Sequence, residues 1–268
     1  MKTVISAQND TLREYLIKVW KHRAFVLILA KRDLKVKYAQ TLLGVAWTIV
    51  QPLVAMLVFT LFFSLLLDVK TSYPYVLFVL SGVVCWNLFN YIFSHASTSL
   101  MNSQDLIRKV SFPKIVLPLS KLLVASVELA ISLVPLMLLL IWFRIPLTVN
   151  MLSLPIVLFF IMVFSLGLSL VLAASTLRYR DLHHIIPFLV NFGIWFTPVF
   201  YPVSLIPEQY KDFLYLNPMA SFIGMFRWGL FNEPIGLAAI SGIVTSIIFL
   251  VIGVLYFKAV EDRISETI

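Results

Sequence analysis

Residues 152–181 read LSLPIVLFFIMVFSLGLSLVLAASTLRYRD, a long uncharged run followed by a short basic segment. About 20 apolar residues are enough to cross the hydrocarbon core of a bilayer as a helix. Arg178 and Arg180 place positive charge at one end of the run, and loops rich in Lys and Arg stay in the cytoplasm. This stretch therefore predicts a transmembrane helix and also its orientation.

Five other stretches of the chain share this apolar character. Together the predicted spans cover residues 42–67, 75–94, 116–142, 152–177, 185–203 and 235–257. With a cytoplasmic N-terminus, only four of the 21 Lys and Arg residues would face outside, namely Lys70, Arg144, Lys211 and Arg227. The charge distribution thus predicts an all-α integral membrane protein with six transmembrane helices and both termini in the cytoplasm.

The composition excludes a soluble fold, because 60% of the 268 residues are apolar and the mean hydropathy is +0.96. We expect a single transmembrane domain over residues 1–268. It divides into a cytoplasmic interface segment (1–41), a six-span core (42–257) and a cytoplasmic tail (258–268). The net charge of +8 is concentrated in the interface segment, so membrane lipid, and not nucleic acid, is the expected partner. The single cysteine, Cys85, allows no disulfide within the chain.

The segment before the first span predicts an amphipathic helix, with apolar and charged residues on opposite sides. The apolar positions are Leu12, Tyr15, Leu16 and Val19, and the charged ones are Arg13, Glu14, Lys18 and Lys21. Such a helix lies flat in the cytoplasmic interface of the membrane, although a solvated leader helix is the alternative. The charged stretch Lys31–Lys37 that follows predicts the membrane edge.

The second cytoplasmic loop, residues 95–115, is polar and compatible with a helix. The pair Phe112-Pro113 would end that helix, since proline cannot continue one. We expect a short helix parallel to the membrane that faces the cytoplasm, and an ordinary connecting loop is the alternative.

The connection between the last two spans is apolar enough to suggest a seventh span. Asn217-Pro218 and Arg227 interrupt it, and a seventh span would move the basic C-terminus outside. Two short re-entrant or interfacial helices on the outer face satisfy the backbone better. Just before them, Pro198 and Pro202 predict a kink or an end in the fifth span.

The chain lacks the sequence signatures of nucleotide hydrolysis and of metal binding. None of its glycines is followed by lysine, so it has no phosphate-binding loop of the Gly-x-x-x-x-Gly-Lys-Ser/Thr type. Its four histidines form no i, i+4 pair that would converge on a metal. We expect no cofactor, no metal and no catalytic residue here, so any ATP-driven motor is a separate polypeptide.

Two kinds of residue inside the spans are functional candidates. Glu128 is an acid near the middle of the third span, where acids are rare; the alternative is a carboxyl that only hydrogen-bonds to Ser126, Ser132 or a neighbouring helix. Aromatic residues make up 14% of the chain, and they suit a glycan path, lipid contact or core packing. The candidate path residues are Trp47, Gln51, Phe59, Phe62, Phe63, Phe188, Phe192, Trp195 and Phe196.

Several short motifs follow one another in a specific order between residues 31 and 234. They are RDLKVKY (32–38), Leu43-Gly44 with Trp47 and Pro52, LIRKV (106–110) with Phe112-Pro113 and Pro118, Arg180-Asp181, PVFYP (198–202), and Asn217-Pro218 with Arg227. Each alone is a weak signal, but the ordered set is specific. In this order the chain resembles the type-2 ABC exporter permeases for polysaccharides, which include O-antigen (Wzm-type), capsule and teichoic-acid exporter subunits.

The resemblance implies an ATP-driven exporter that moves lipid-linked polysaccharide across the cytoplasmic (inner) membrane. The permease would be a homodimer above two copies of a separate ATP-binding cassette subunit, which would hold ATP and Mg²⁺. The residues implied in coupling to that subunit are Asp105, Arg108, Lys109, Phe112 and Pro113. Those implied in an outer gate are Pro198, Pro202, Asn217, Pro218 and Arg227.

Two alternatives stay open at this point. An ABC-2 permease for drugs or lipids would share the fold but not the substrate. A membrane-embedded acyl- or glycosyltransferase that uses His95 or Glu128 would show several polar catalytic groups at one membrane face, and the sequence shows no such cluster.

Overall fold

The structure, a computed structural model, describes residues 11–39, 41, 44–66, 68–69, 71–179, 181–236 and 240–267. Within these ranges every regular element is a helix. Leu43, Lys70 and Arg180 fall outside the described residues, as do residues 1–10 of the interface segment.

The α-helices of the described part are α1 (Leu12–Lys21), α2 (Arg23–Tyr38), α3 (Trp47–Phe59), α4 (Tyr75–Ser97), α5 (Gln104–Lys109), α6 (Val116–Trp142), α7 (Leu154–Thr176), α8 (Leu182–Gly193), α9 (Glu208–Leu214), α10 (Pro218–Phe231) and α11 (Ser241–Thr267). A π-helix, Thr60–Leu66, continues α3. Short 3-10 turns lie at Gly44–Ala46, Met101–Ser103, Val149–Ser153 and Val203–Leu205.

Five helical stretches of the described residues are long and apolar enough to cross a membrane. They are Gly44–Ser64, Tyr75–Ser97, Val116–Trp142, Val149–Thr176 and Ser241–Glu261. The predicted fifth span is different, because α8 has only 12 residues and turns follow it up to Phe200. α8 ends at Gly193 although it accommodates Pro187 in its interior. In a continued helix the ring of Pro198 would clash with the carbonyl of Ile194 and remove a backbone donor, which disfavours continuation beyond the turns.

Local sequence explains where several helices begin and end. Thr11 and Glu14 form a capping box at the start of α1, in which each side chain bonds to the backbone of the other residue. The Asn217 side chain accepts a hydrogen bond from the Met219 N–H at the start of α10. Asn232 ends α10 in the left-handed conformation, at φ 56°.

α4 lies at the centre of the bundle, where its side chains are buried on nearly every face against α3, α6, α7, α8 and α10. The outer helices instead expose apolar faces. On α11 the exposed residues recur at helical spacing, at Val244, Ile247, Ile248, Val251, Ile252 and Leu255. A continuous apolar face of this kind suits contact with lipid.

The helix α2, which carries the charged stretch Lys31–Lys37, packs lengthwise along the first half of α6. The ion pairs Asp33–Lys121 and Lys37–Glu128 join the two helices, and Phe25 packs on Phe112 in the segment before α6. Burial of a charged side chain costs free energy unless an opposite charge lies next to it. In these two ion pairs each charge has such a partner. That this stretch marks the membrane edge stays a prediction.

The predicted tail 258–268 continues the last helix, since α11 runs without a break from the apolar run through to Thr267. The C-terminal part of α11 packs against α1, because Phe257 and Tyr15 belong to one buried cluster.

Candidate functional site

A cavity of about 460 Å³ lies between α3, α4, α6 and the segment that follows α8. One end, which we call the Lys37 end, is lined by Lys37, Tyr91, His95 and Glu128. The opposite end, which we call the Phe200 end, is lined by Phe59, Trp195 and Phe200. Between the two ends the wall carries Trp47, Thr48, Gln51, Trp86, Asn87 and Asn90. Amide side chains and aromatic rings therefore alternate along the cavity.

The Lys37 end contains a pair of opposite charges. Lys37 bonds to the Glu128 carboxylate, and its ammonium also lies 4.8 Å from the centre of the Tyr91 ring. Tyr91 in turn stacks on His95 with 4.1 Å between ring centroids. Ser126 donates to its own helix, so the partner of Glu128 is a lysine of a neighbouring helix.

A second ion pair, between Asp33 of α2 and Lys121 of α6, joins the same two helices as the Lys37–Glu128 pair. Burial raises the pKa of the Asp33 carboxyl, but hydrogen bonds from Lys121 and Arg32 lower it more, so that this pKa falls below its ordinary value. Burial raises the pKa of the Tyr38 phenol, whose oxygen lies 3.0 Å from the Thr48 hydroxyl. The Asp33–Lys121 pair thus holds α2 against α6, and the Tyr38–Thr48 contact holds the end of α2 against the start of α3.

The Phe200 end is closed by aromatic rings. Phe59 and Phe200 stack with centroids 3.4 Å apart and an angle of 13° between their planes. Trp195 lies 6.0 Å from Phe59 and 5.9 Å from Phe200. We call these three rings, which contact one another at the Phe200 end, the aromatic lid.

The predicted path residues divide into two groups. Trp47, Gln51, Phe59 and Trp195 line the cavity. The others lie outside it, at Phe62, Phe63, Phe188, Phe192 and Phe196. Four of this second group are exposed on the surface of the chain, and Phe63 packs beside Phe59.

Sequence reasoning missed the wall that α4 contributes. Trp86, Asn87, Asn90 and Tyr91 line the cavity, and none of them was among the candidates. A signal was present, since two asparagines three residues apart inside an apolar span are expensive in lipid unless they face a polar space.

Arg227 holds the segment after α8 in place. The side chain is buried, at 3% exposure, and lies flat over the Phe78 ring at 3.4 Å. Its guanidinium donates hydrogen bonds to the carbonyls of Pro198 (2.8 Å), Val199 (2.9 Å) and Phe78 (3.0 Å). The Pro198 and Val199 carbonyls lie in the turns that follow α8, where the helical backbone bonds have ended, so the arginine supplies donors there. The Phe78 carbonyl lies in α4 and ties the arginine to that helix.

Other predicted gate residues anchor the same segment. Asn217 donates to the Thr197 hydroxyl at 2.8 Å, and the Tyr75 hydroxyl donates to the Phe200 carbonyl. Asn217, Pro218, Arg227 and Pro198 are thus brought together, and Pro202 begins the turn that leads away from them. The arrangement resembles a clamp that positions Phe200 at the cavity.

The predicted coupling residues present two faces. Asp105, Arg108 and Lys109 are exposed on α5. Phe112 is half-buried and packs edge-on against Phe25, with 5.0 Å between centroids, and Pro113 beside it is also half-buried. The charged residues are therefore available to a partner, whereas Phe112 attaches the loop to α2.

The apolar residues of the interface helix α1 also fall into two groups, one packed against the protein and one exposed. Tyr15 is buried and Val19 is half-buried against the protein, whereas Leu12 and Leu16 are exposed. Together with Trp20, the latter form an outward apolar surface. A helix with one face on protein and another on hydrocarbon fits the membrane interface.

Comparison with known proteins agrees with this geometry. The profile of the ABC-2 type transporter family matches residues 25–231, which is most of the chain and includes α2, the cavity and the Arg227 clamp. The chain belongs to the ABC-2 type transporter family. This ABC-2 type protein is thus a multi-pass membrane protein, and membership implies a transmembrane subunit that works with a separate ATP-hydrolysing subunit.

Individual relatives cover nearly the same region of the ABC-2 type protein. The O-antigen export system permease protein RfbA of Myxococcus xanthus is 32% identical over 215 residues, 78% of this chain and 81% of the relative. The protein of the same name from Klebsiella pneumoniae is 25% identical over 243 residues, 90% of this chain and 93% of the relative.

Proposed function

We propose that this chain is the permease subunit of an ATP-driven exporter of lipid-linked polysaccharide of the O-antigen type. It forms a single domain in the cytoplasmic membrane, with six spans and both termini in the cytoplasm. The broken segment from α8 to Phe200 is the remaining span. The chain itself carries no cofactor, and ATP and Mg²⁺ bind the partner subunit.

The observation that carries the proposal is the composition of the cavity wall. A purely apolar path would desolvate glycan hydroxyls at a cost of several kcal/mol for each unpaired group. Gln51, Asn87 and Asn90 offer hydrogen bonds, while Trp47 and Trp86 offer faces on which sugar rings stack. Repeated weak contacts of this kind hold a chain without trapping it. The similarity to two O-antigen export permeases supports the same substrate class.

The exposed aromatic residues support a homodimer. Phe62 at the end of the first span, together with Phe188, Phe192 and Phe196 after it in sequence, presents large apolar rings on the surface of one chain. A second copy that covers these rings would extend the aromatic path between the two subunits, as the sequence pattern predicts.

The exposed charges of α5 support docking of an ATP-binding subunit. Asp105, Arg108 and Lys109 face away from the bundle on the side where α1 and the end of α11 also lie. The apolar residues Leu106 and Ile107 face inward and pack on the buried cluster there. Two copies of the ATP-binding subunit would serve the dimer.

The Phe200 end supports an outer closure. Phe59, Trp195 and Phe200 cluster at this end of the cavity, and Arg227 fixes the segment that carries two of these rings. Export would then require that the stacked pair Phe59–Phe200 separates while the clamp stays intact.

The test is co-expression of the chain with its ATP-binding subunit in a cell that assembles O-antigen but lacks its own export permease. We expect O-antigen at the cell surface, and none when the ATP-binding subunit is replaced by a variant unable to hydrolyse ATP. Surface O-antigen that stays absent, together with resistance to drugs or altered lipid export, would contradict the proposal in favour of another ABC-2 substrate.

A further inference from the structure

Glu261 is a buried carboxylate at the end of α11, at 8% exposure. Its Oε2 accepts a hydrogen bond from the Tyr15 hydroxyl of α1 at 2.6 Å. Its Oε1 accepts a hydrogen bond from the backbone N–H of Lys114, just before α6, also at 2.6 Å. Three segments that are far apart in sequence therefore meet at one side chain.

Packing around this carboxylate involves the same segments. Tyr15, Ile115 and Phe257 belong to one buried cluster that also contains Val26 of α2. Phe112, which precedes Lys114 by two residues, packs on Phe25 of α2. The segment that follows α5 is thus attached to α2 through a ring contact and to α11 through a hydrogen bond.

The hydrogen bonds have a mechanical consequence. Bonds to a charged acceptor are stronger than those between neutral groups, and a buried carboxylate that loses a donor pays a desolvation cost. A displacement of α5 and of the residues after it would break the bond from Lys114 unless α11 followed. A displacement of α11 alone would break the bond from Tyr15. The lowest-cost movement keeps all three segments together.

We propose that Glu261 is a positioning residue that makes α1, the segment before α6 and α11 move as one body during transport. The inference rests on the proposed role of α5 as the contact for an ATP-binding subunit. Glu261 touches neither substrate nor nucleotide. It acts through the Lys114 N–H and the Tyr15 hydroxyl, so that a push on α5 reaches both α1 and the last span.

The test compares two conservative variants, E261Q and Y15F, in the full complex with the ATP-binding subunit. Y15F removes one hydrogen bond and leaves the one from Lys114, whereas E261Q removes the charge and keeps the shape of the side chain. Spin labels are attached to the cysteines introduced by R13C in α1 and Q104C in α5, in a C85A background. They report the distance between these two helices. The distance is measured in the nucleotide-free and in the ATP-trapped complex.

We expect the distance in the parent complex to be the same in both nucleotide states. In E261Q the two states should differ, and the glycan exported per ATP hydrolysed should fall about tenfold while the ATPase rate stays within about twofold. Y15F should show a smaller fall in the same ratio.

An E261Q complex with the parental distance in both states and the parental export per ATP would overturn the proposal. An E261Q variant that unfolds at lower temperature and loses ATPase activity and export in equal proportion would also overturn it, because Glu261 would then only stabilise the fold. A parent complex from which the ATP-binding subunit dissociates would instead contradict the proposed function, so the two failures are distinguishable.

Discussion

Gly167 of α7 and Gly253 of α11 meet backbone to backbone where the two helices cross. A Cβ atom added to Gly167 would lie 2.5 Å from the backbone nitrogen of Leu250. Small residues allow transmembrane helices to approach this closely. The crossing fixes α11 to the bundle through its backbone, while the opposite face of the helix is left to lipid.

The glycine crossing makes a stability prediction. Gly167→Ala should destabilise the protein by about 1–3 kcal/mol, because the added methyl group has to push two backbones apart. Thermal unfolding of the purified protein in detergent measures the effect. Gly224→Ala is the matched control, since a Cβ atom there meets nothing within 4 Å and alanine favours the helix. Equal unfolding temperatures for the two variants would show that the helices can separate without cost.

Arg227 gives a second prediction. Arg227→Met should destabilise the protein by at least about 2 kcal/mol, because the carbonyls of Pro198 and Val199 lose the guanidinium donor. The Phe78 carbonyl keeps its hydrogen bond from the Ser81 hydroxyl. Arg227→Lys should recover only part of this loss, since one ammonium cannot replace the planar guanidinium fork. Lys211→Met removes an outer basic residue that is not buried and should leave the unfolding temperature unchanged. An Arg227→Met protein as stable as this control would rule out the clamp.

The aromatic lid gives a third prediction, on transport. Phe59→Ala should lower the rate of glycan export about fivefold, since one ring contact is worth roughly 1 kcal/mol, whereas Phe59→Tyr should retain most of the rate. Surface glycan, normalised to the amount of permease in the membrane, measures the effect. Phe159→Ala is the control, because Phe159 is exposed on α7 away from the cavity. If the Phe59→Ala variant exports glycan at the parental rate, the aromatic lid does not contact the glycan during transport.

The exposed face of α5 gives a fourth prediction. Reversal of Arg108 and Lys109 to Glu should weaken binding of the ATP-binding subunit at least about tenfold, because like charges would then face one another. Co-purification of the two subunits measures the effect, and membrane insertion should persist. Arg178→Glu reverses an exposed charge in the loop after α7 and should leave the complex intact. Undiminished co-purification of the α5 variant would place the docking surface elsewhere.

The long spans follow from sequence because hydrocarbon imposes strict rules on length and charge. The run 116–142 coincides with α6, and the break at Asn217-Pro218 separates α9 from α10. Both features are local: a helix starts, continues or stops according to neighbouring residues. The predicted fifth span departs from this rule, since α8 ends at Gly193 and is shorter than the apolar run 185–203 suggests.

Contacts between distant segments could not be predicted in this way. Lys37 and Glu128 are each unusual in the sequence, but only the packing of α2 along α6 makes them partners. Arg227 looked like an outer loop residue by charge counting, and it is instead buried beneath the broken helix. Glu261 carried no signal at all, because its partners are a phenol and a backbone N–H. Such pairings depend on tertiary packing, which a single sequence does not display.

The size of the cavity has a consequence for the polymer. A space of about 460 Å³ accommodates only a few sugar rings at once, whereas the proposed substrate is a long repeating chain. A permease of this kind would contact only a short stretch of the polymer at any moment. Its cavity would therefore respond to the chemistry of the repeating unit and not to the length of the chain.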